Sequence, residues 1–165
     1  MNEAWQIKVL PGPYGRGDLA CWQAAATIDQ QYSYAPWNDA AWQSITGNYM
    51  LAVIGTAAVW HAFALWQMGE DGAAHLINLT VHPDQRHQGL ATRLVKAYQQ
   101  NASCHSIYLE VAEDNEAAYQ LYLKLGFTPL CRKKAFYHQG TAAWAMQWVR
   151  PSEALQSEKN LLDCP

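Results

Sequence analysis

The stretch Ile77-Asn-Leu-Thr-Val-His-Pro-Asp-Gln-Arg-His-Gln-Gly-Leu-Ala-Thr-Arg-Leu-Val95 constrains this chain more than any other. It opens as an apolar run with β-branched residues, passes through Pro83 and Asp84, and continues with Leu90, Leu94, Val95 and Tyr98 on one helical face. It therefore reads as strand, short turn, helix. The turn holds Arg86-x-x-Gly89-x-Ala91, where small side chains let a ligand approach the backbone closely. The first amides of a helix have no intrahelical partner and sit at the positive end of its dipole, so such a turn can cradle a phosphate or pyrophosphate. By itself the pattern fits an ordinary tight connection equally well.

Composition narrows the setting. A chain of 165 residues suits one domain that buries roughly 70% of its unfolded surface. Half of its residues are hydrophobic and 15% are charged, which argues against disorder. Glu3 and Lys8 stand where a signal peptide would place a basic start and an apolar block, and no apolar run approaches the roughly 20 residues needed to span a bilayer. A soluble, cytoplasmic protein is expected. The net charge of −3 removes the simplest electrostatic case for nucleic-acid binding. Cys21, Cys104, Cys131 and Cys164 form no CxxC pair and are expected as free thiols. Adjacent Cys104 and His105 project to opposite faces of a strand, so no metal site is read.

Taken in order, Trp5 to Leu10 reads as a strand closed by Pro11-Gly-Pro13-Tyr-Gly15, and Asp18 caps a helix that ends near Gln31. A second short helix follows Pro36-Trp37, capped by Asn38 or Asp39, with Trp42 and Ile45 facing inward. Tyr49 to Ile54 and Thr56 to Gln67 suggest a hairpin, bent or interrupted at Gly55. After a polar turn, Ala74 to Val81 leads into the opening stretch, whose helix runs from about Gln88 to Gln100. His105 to Val111 is the next strand and makes a parallel strand–helix–strand unit. A helix capped by Asp114 carries Ala118, Leu121, Tyr122 and Leu125 on one face and stops at Gly126. Strands over Phe127 to Cys131 and Ala143 to Val149 complete residues 1–150 as a single domain, with 151–165 a loosely held tail. His61 and His75 sit in no motif and read as hydrogen-bonded structural residues.

The opening stretch, then Ile107-Tyr-Leu-Glu-Val111, Asn115-Glu-Ala-Ala-Tyr-Gln-Leu-Tyr122 and Leu125-Gly-Phe127, in that order and spacing, resembles the GNAT family of N-acetyltransferases. Within it the series is most similar to the ribosomal-protein N-terminal alanine acetyltransferases, the RimI-like group. The resemblance covers Ala74 to Trp148, with a weaker echo at Ala35-Pro-Trp37. It implies an α/β GNAT fold: a mixed, mostly antiparallel sheet splayed around acetyl-CoA, with flanking helices. It implies acetyl-CoA as co-substrate, with no metal. Amides of Arg86, His87, Gln88, Gly89, Leu90, Ala91 and Thr92 would hold the pyrophosphate, and the strand edge Leu79, Thr80 and Val81 would pair with the pantetheine arm. An N–H near Val81 would meet the thioester oxygen.

Glu110 matches the family's general base, Tyr122 its general acid, and Asn115 a hydrogen-bonding contact to pantetheine. A carboxylate near pKa 4.3 is a weak base at neutral pH, so Glu110 would act through water or need burial to raise its pKa. A phenol near pKa 10 stays protonated and can donate to a departing thiolate. Trp37 and Tyr137 are candidate substrate contacts, with Tyr119 as an understudy and Trp42 either a pocket wall or core. Ala91 stands where many members have Gly. The segment between Tyr137 and Trp144 contains no carboxylate, whereas acidic residues there help RimI-like enzymes receive a basic protein N-terminus. The expected reaction is direct acetyl transfer to a primary amine, a protein N-terminal α-amine first, possible ribosomal-protein termini among them. Alternatives are a small-molecule amine or polyamine acetyltransferase, and a non-catalytic acyl-CoA-sensing module. Neither nucleic acid nor membrane is expected as a partner, and the oligomeric state is left open.

Overall fold

The computed structural model describes residues 5–56 and 59–151. Among them the chain runs β1 (Gln6–Pro11), α1 (Leu19–Tyr32), α2 (Asp39–Gln43), β2 (Tyr49–Gly55), β3 (Trp60–Met68), β4 (Ala73–Val81), a 3-10 turn (Pro83–Gln85), α3 (Leu90–Gln99), β5 (Ser106–Ala112), α4 (Glu116–Lys124), β6 (Thr128–Lys133) and β7 (Ala143–Val149). The strands follow the hydrogen-bonded order β1-β2-β3-β4-β5-β7-β6 in a seven-stranded sheet. The pairs β1/β2, β2/β3, β5/β7 and β6/β7 are antiparallel. This is the mixed α/β architecture with a mostly antiparallel sheet that the sequence predicts. The chain divides into two compact units, one of Met1–Met68 with Leu76–Tyr98, the other of Gly69–His75 with Gln99–Pro165.

In the first unit, α1 forms because Asp18 accepts hydrogen bonds from the otherwise unpaired amides of Ala20 and Cys21. The helix buries Cys21, Trp22, Ala25 and Ile28 against Leu51 and Val53 of β2 and Phe63 and Leu65 of β3. Trp42 and Ile45 join that core, with the Trp42 ring edge-on to Phe63 at 5.6 Å. Burial of each such side chain stabilises by roughly 1.5–3 kcal/mol. Asp29 is fully buried on α1 and accepts from Trp37 N at 2.8 Å, Trp42 Nε1 at 2.9 Å and Asn78 Nδ2 at 2.7 Å. One carboxylate thereby joins α1, the α2 approach and β4.

In the second unit, Ile107, Leu109 and Val111 of β5 are buried and stand opposite Trp148, Met146 and Trp144 of β7. α4 is capped at its C-terminus by Leu125, and Gly126 takes φ +85, which suits a residue without Cβ. Pro129 lies on the edge strand β6, where the register with β7 shifts between Pro129 and Cys131. Arg150 donates to the carbonyls of Cys104, Gln99 and Asn101 and so ties the turn before β5 to the end of β7.

Several sequence expectations need adjustment. The cap of α4 is Asn115, whose Oδ1 accepts from Ala118 N at 3.2 Å, and not Asp114. α3 starts at Leu90 because His87 and Gly89 take φ values of +61 and +77, outside the helical region. β3 begins at Trp60 after a register shift at Ile54/Gly55, the interruption expected at Gly55. Cys21 and Cys104 are free thiols, but Cys131 is disulfide-bonded, which corrects the expectation of a free thiol there. The tail from residue 152 lies outside the described residues. Among the described residues no helix is long and apolar enough to cross a membrane.

Candidate active site

The Arg86 to Ala91 turn lies in the first unit. β4 ends at Val81, His82 accepts from Asp84 N through Nδ1, and the 3-10 turn brings the chain round to α3. Arg86 donates from Nε to the Val81 carbonyl at 3.3 Å, and Gln88 Nε2 bonds Gln85 Oε1 at 2.8 Å, so the turn is closed on itself. The first intrahelical bond is Arg93 N to Gly89 O at 3.0 Å, which leaves the amides of Leu90, Ala91 and Thr92 as the helix's own unpaired donors. A Cβ on Gly89 would project into open space, with no atom within 4 Å. An open, positively polarised backbone of this kind fits a pyrophosphate.

Upstream on β4, Thr80 is buried and its hydroxyl is 2.5 Å from Ser33 Oγ and 3.0 Å from Asn78 Oδ1. Its side chain is thus committed to α1, and what it can offer a cofactor arm is backbone. Leu79 and Val81 are half-buried. Trp37 is half-buried as well, edge-on to Trp42 at 6.0 Å and with its amide bound to Asp29. Trp42, 1% exposed, belongs to the core.

The titratable groups collect in the second unit. Glu110 on β5 is only 9% exposed at its side chain, and both oxygens are engaged: Oε2 with His75 Nε2 at 2.6 Å and Oε1 with Lys133 Nζ at 2.8 Å. Burial alone would raise its pKa. The hydrogen bonds and charges of His75 and Lys133 outweigh that and hold the carboxyl at about 2. Of the two routes by which Glu110 could act as a base, through water or with a pKa raised by burial, the second is not the one this environment favours. Lys133 also lies 5.3 Å from the Tyr108 ring centroid and 5.5 Å from that of Phe136. The Tyr108 ring meets His75 edge-on at 5.1 Å.

Tyr122 is buried on α4, edge-on to Phe127 at 5.5 Å. Burial pushes its phenol well above the usual value, with a smaller push from Tyr137, so it stays protonated at any physiological pH. Tyr137 sits in the β6–β7 loop, where its amide donates to Thr141 O and its carbonyl accepts from Gly140 N. Tyr119 lies 6.2 Å from the Trp144 ring. Asn115 spends Oδ1 on its cap and keeps Nδ2 as a donor. His75 and Lys133 carried no motif signal. Only the alternation of β4, which sets His75 one pleat from its buried neighbours Ala74 and Leu76, hinted that it shares a face with other polar groups.

The acetyltransferase (GNAT) family model matches residues 5–127. The chain is 32% identical over 121 residues to the ribosomal protein bS18-alanine N-acetyltransferase of Escherichia coli K12, a match covering 69% of this chain and 79% of that one. It is 33% identical over 76 residues to an N-alpha-acetyltransferase of Saccharolobus solfataricus, covering 44% and 46% of the two chains. The crystal structure of the Escherichia coli ribosomal-protein-S18-alanine N-acetyltransferase superposes with a TM-score of 0.74 at 25% identity, over 96% of this chain and 100% of the other. Arabidopsis thaliana NAA60 in complex with acetyl-CoA shares the fold with a TM-score of 0.72 at 17% identity, over 87% and 98% of the chains.

Proposed function

The chain belongs to the acetyltransferase (GNAT) family and is an acetyl-CoA-dependent N-acetyltransferase, and from that premise we propose that its acceptor is a protein N-terminal α-amine, a ribosomal-protein terminus being the first candidate. The observation that carries this reading is the geometry at Glu110, whose two oxygens are taken up by His75 Nε2 at 2.6 Å and Lys133 Nζ at 2.8 Å, an arrangement that makes the carboxylate a weak base. An α-amine titrates near 7.7–8.0 and a lysine near 10.4, so a weakly basic site can free the first far more readily than the second. The similarity to the bS18-alanine enzyme points the same way.

In this reading the Arg86, His87, Gln88, Gly89, Leu90, Ala91 and Thr92 backbone binds the pyrophosphate of acetyl-CoA. The edge of Leu79, Thr80 and Val81 holds the pantetheine arm, and Asn115 adds its free Nδ2. Glu110 serves removal of the amine proton, Tyr122 supplies a proton to the leaving thiolate, and Trp37 and Tyr137 contact the acceptor. Transfer is direct, since the motif carries no cysteine. Residues 1–150 act as one catalytic domain in the cytoplasm.

The test is acetyl-CoA-dependent release of free thiol with peptides of varied N-termini, a lysine peptide blocked at its N-terminus, and small amines. Turnover confined to free α-amine peptides supports the proposal, and an Ala-first preference narrows it to the bS18-type acceptor. Turnover with small amines alone overturns the acceptor assignment.

A further inference from the structure

We propose that Ser33 and Asn78 are positioning residues for acetyl-CoA: through Thr80 they fasten the end of β4, the edge assigned above to the pantetheine arm, to the end of α1. The inference rests on that assignment and names what holds the edge in place. All the residues concerned lie in the first unit. Against α1, β2 presents Leu51 and Val53 and β3 presents Phe63 and Leu65, all apolar. β4 presents Asn78 and Thr80 instead, two residues apart and so on one face, and both are engaged with α1 or its cap. Polar groups taken from water in such a place recover little net stability from the bonds they make. What those bonds add is a fixed distance and direction.

Counting hydrogens gives the direction of the bonds. Asn78 Nδ2 donates to Asp29 Oδ1 at 2.7 Å. Asn78 Oδ1 has Thr80 Oγ1 at 3.0 Å and Ser33 Oγ at 3.3 Å, and the shorter contact takes the Thr80 hydrogen. A hydroxyl has one hydrogen, so in the 2.5 Å contact between the two hydroxyls Ser33 donates. The donors thus run Ser33, Thr80, Asn78 and end on the Asp29 carboxyl, each bond polarising the next. Ser33 is itself held as the C-cap of α1, its amide donating to the Asp29 carbonyl at 3.0 Å.

Two constraints therefore meet at Thr80 and Val81. From the edge of the strand, His82 N donates to His61 O at 2.8 Å and keeps the end of β4 on β3. From its face, the hydroxyl chain ties Thr80 to α1, so that the backbone there is what a cofactor arm pairs with. The same Asp29 carboxyl accepts from Trp37 N at 2.8 Å, so the residue proposed to contact the acceptor hangs on the end of the chain as well. Loosening the chain should let donor and acceptor drift from their reacting geometry. The Arg86 to Ala91 turn proposed for the pyrophosphate keeps its own closure through the Gln85–Gln88 bond.

Two measurements on the full-length protein test this. The first follows backbone amides by NMR as acetyl-CoA is added. The Val81 amide should shift in the wild type and shift less in Ser33→Ala and Asn78→Ala, while the Gly89 amide responds alike in all three. The second is turnover at saturating acetyl-CoA on a peptide with a free N-terminus, each variant held well below its own Tm. Both variants should lose about tenfold in kcat with Kd for acetyl-CoA little changed, and Ser33→Thr, which keeps a hydroxyl, should recover most of the loss. Ser33→Ala, at a half-buried cap, carries both tests should Asn78→Ala fail to fold. A lower Tm with an unaltered Val81 response and an unaltered kcat is what a purely structural role gives, and it overturns the inference while leaving the strand-edge assignment standing. A wild type that binds acetyl-CoA with no response at Val81 overturns both.

Discussion

Glu110 keeps its charge in a largely buried position because two nitrogens meet it there, and that arrangement makes the protein acid-sensitive at one residue. Its carboxyl titrates at about 2 instead of the ordinary 4.5, so the native state binds the proton less readily than the unfolded chain. The sign follows: the stabilisation is complete above about 4.5 and is lost as pH falls from there toward 2. At about 1.4 kcal/mol per pH unit the drop amounts to at most ~3.5 kcal/mol, and less in practice because His75 and Lys133 are each about a third exposed and screened by water. Urea unfolding of wild type and Glu110→Gln between pH 6 and 2.5 should show the wild type losing about 2 kcal/mol more than the variant. Parallel curves would refute this.

Asp29 poses the opposite case, a buried carboxylate met by the neutral donors Trp37 N, Trp42 Nε1 and Asn78 Nδ2. Asp29→Ala strands those donors, at about 1–3 kcal/mol for each that finds no water, and is expected to cost about 3–5 kcal/mol in urea unfolding. Asp29→Asn, which keeps one acceptor oxygen, should cost roughly half as much. Nothing in the sequence around Asp29 announced this role. Its partners lie 8, 13 and 49 positions away, and only the folded chain gathers them.

At the scale of elements, legibility followed the range of the interactions. Asp18 as the cap of α1 and β7 at Ala143 to Val149 were readable, and the cap of α2 was narrowed to Asn38 or Asp39, of which Asn38 holds it, because capping and strand alternation are set by neighbours in sequence. The start of α3 was not, since the positive φ of His87 belongs to a turn held by the Arg86–Val81 bond and not to any local preference. The same limit hid the carboxylate–imidazole pair: His75 and Glu110 are 35 residues apart on different strands.

Two glycines show what the turn demands. Gly72, at φ +74, has Ser103 O only 2.2 Å and His105 Cδ2 2.5 Å from where a Cβ would stand, whereas Gly89, at φ +77, has nothing within 4 Å. Gly72→Ala meets backbone as well as strain and should cost several kcal/mol in thermal unfolding. Gly89→Ala carries about 1 kcal/mol of strain alone. Its larger effect falls on acetyl-CoA, where a methyl group in the cradle and the loss of one amide contact should raise Kd by roughly 10–100-fold. Calorimetric titration checks this, and an unchanged Kd would remove the cradle from that turn.

For the whole molecule, the turn proposed to bind phosphate, Arg86 to Ala91, and the groups proposed for acid–base work, Glu110 and Tyr122, fall in different compact units. Binding and chemistry should therefore separate by mutation. Acetyl-CoA at about a hundredfold over its Kd stabilises the native state by ~2.7 kcal/mol, which for a chain of this length raises Tm by roughly 5–10 °C. Tyr122→Phe should keep that rise in full while lowering kcat by about 10²–10⁴-fold, because the phenol donates only in the chemical step. Its own stability should be little changed, since the ring keeps its packing against Phe127. Glu110→Gln should behave alike toward the cofactor, and Gly89→Ala should do the reverse, losing most of the rise at the same acetyl-CoA concentration yet approaching wild-type kcat when saturated. A protein that only sensed acyl-CoA would give another result: wild type, Tyr122→Phe and Glu110→Gln would all bind the cofactor alike and none would release thiol, because sensing requires neither a proton donor nor an acceptor. Thermal shift and thiol release on the same variants decide between the two. If Tyr122→Phe lost cofactor stabilisation along with turnover, the division of labour between the units would fail, and the phenol would have to be reassigned to cofactor binding.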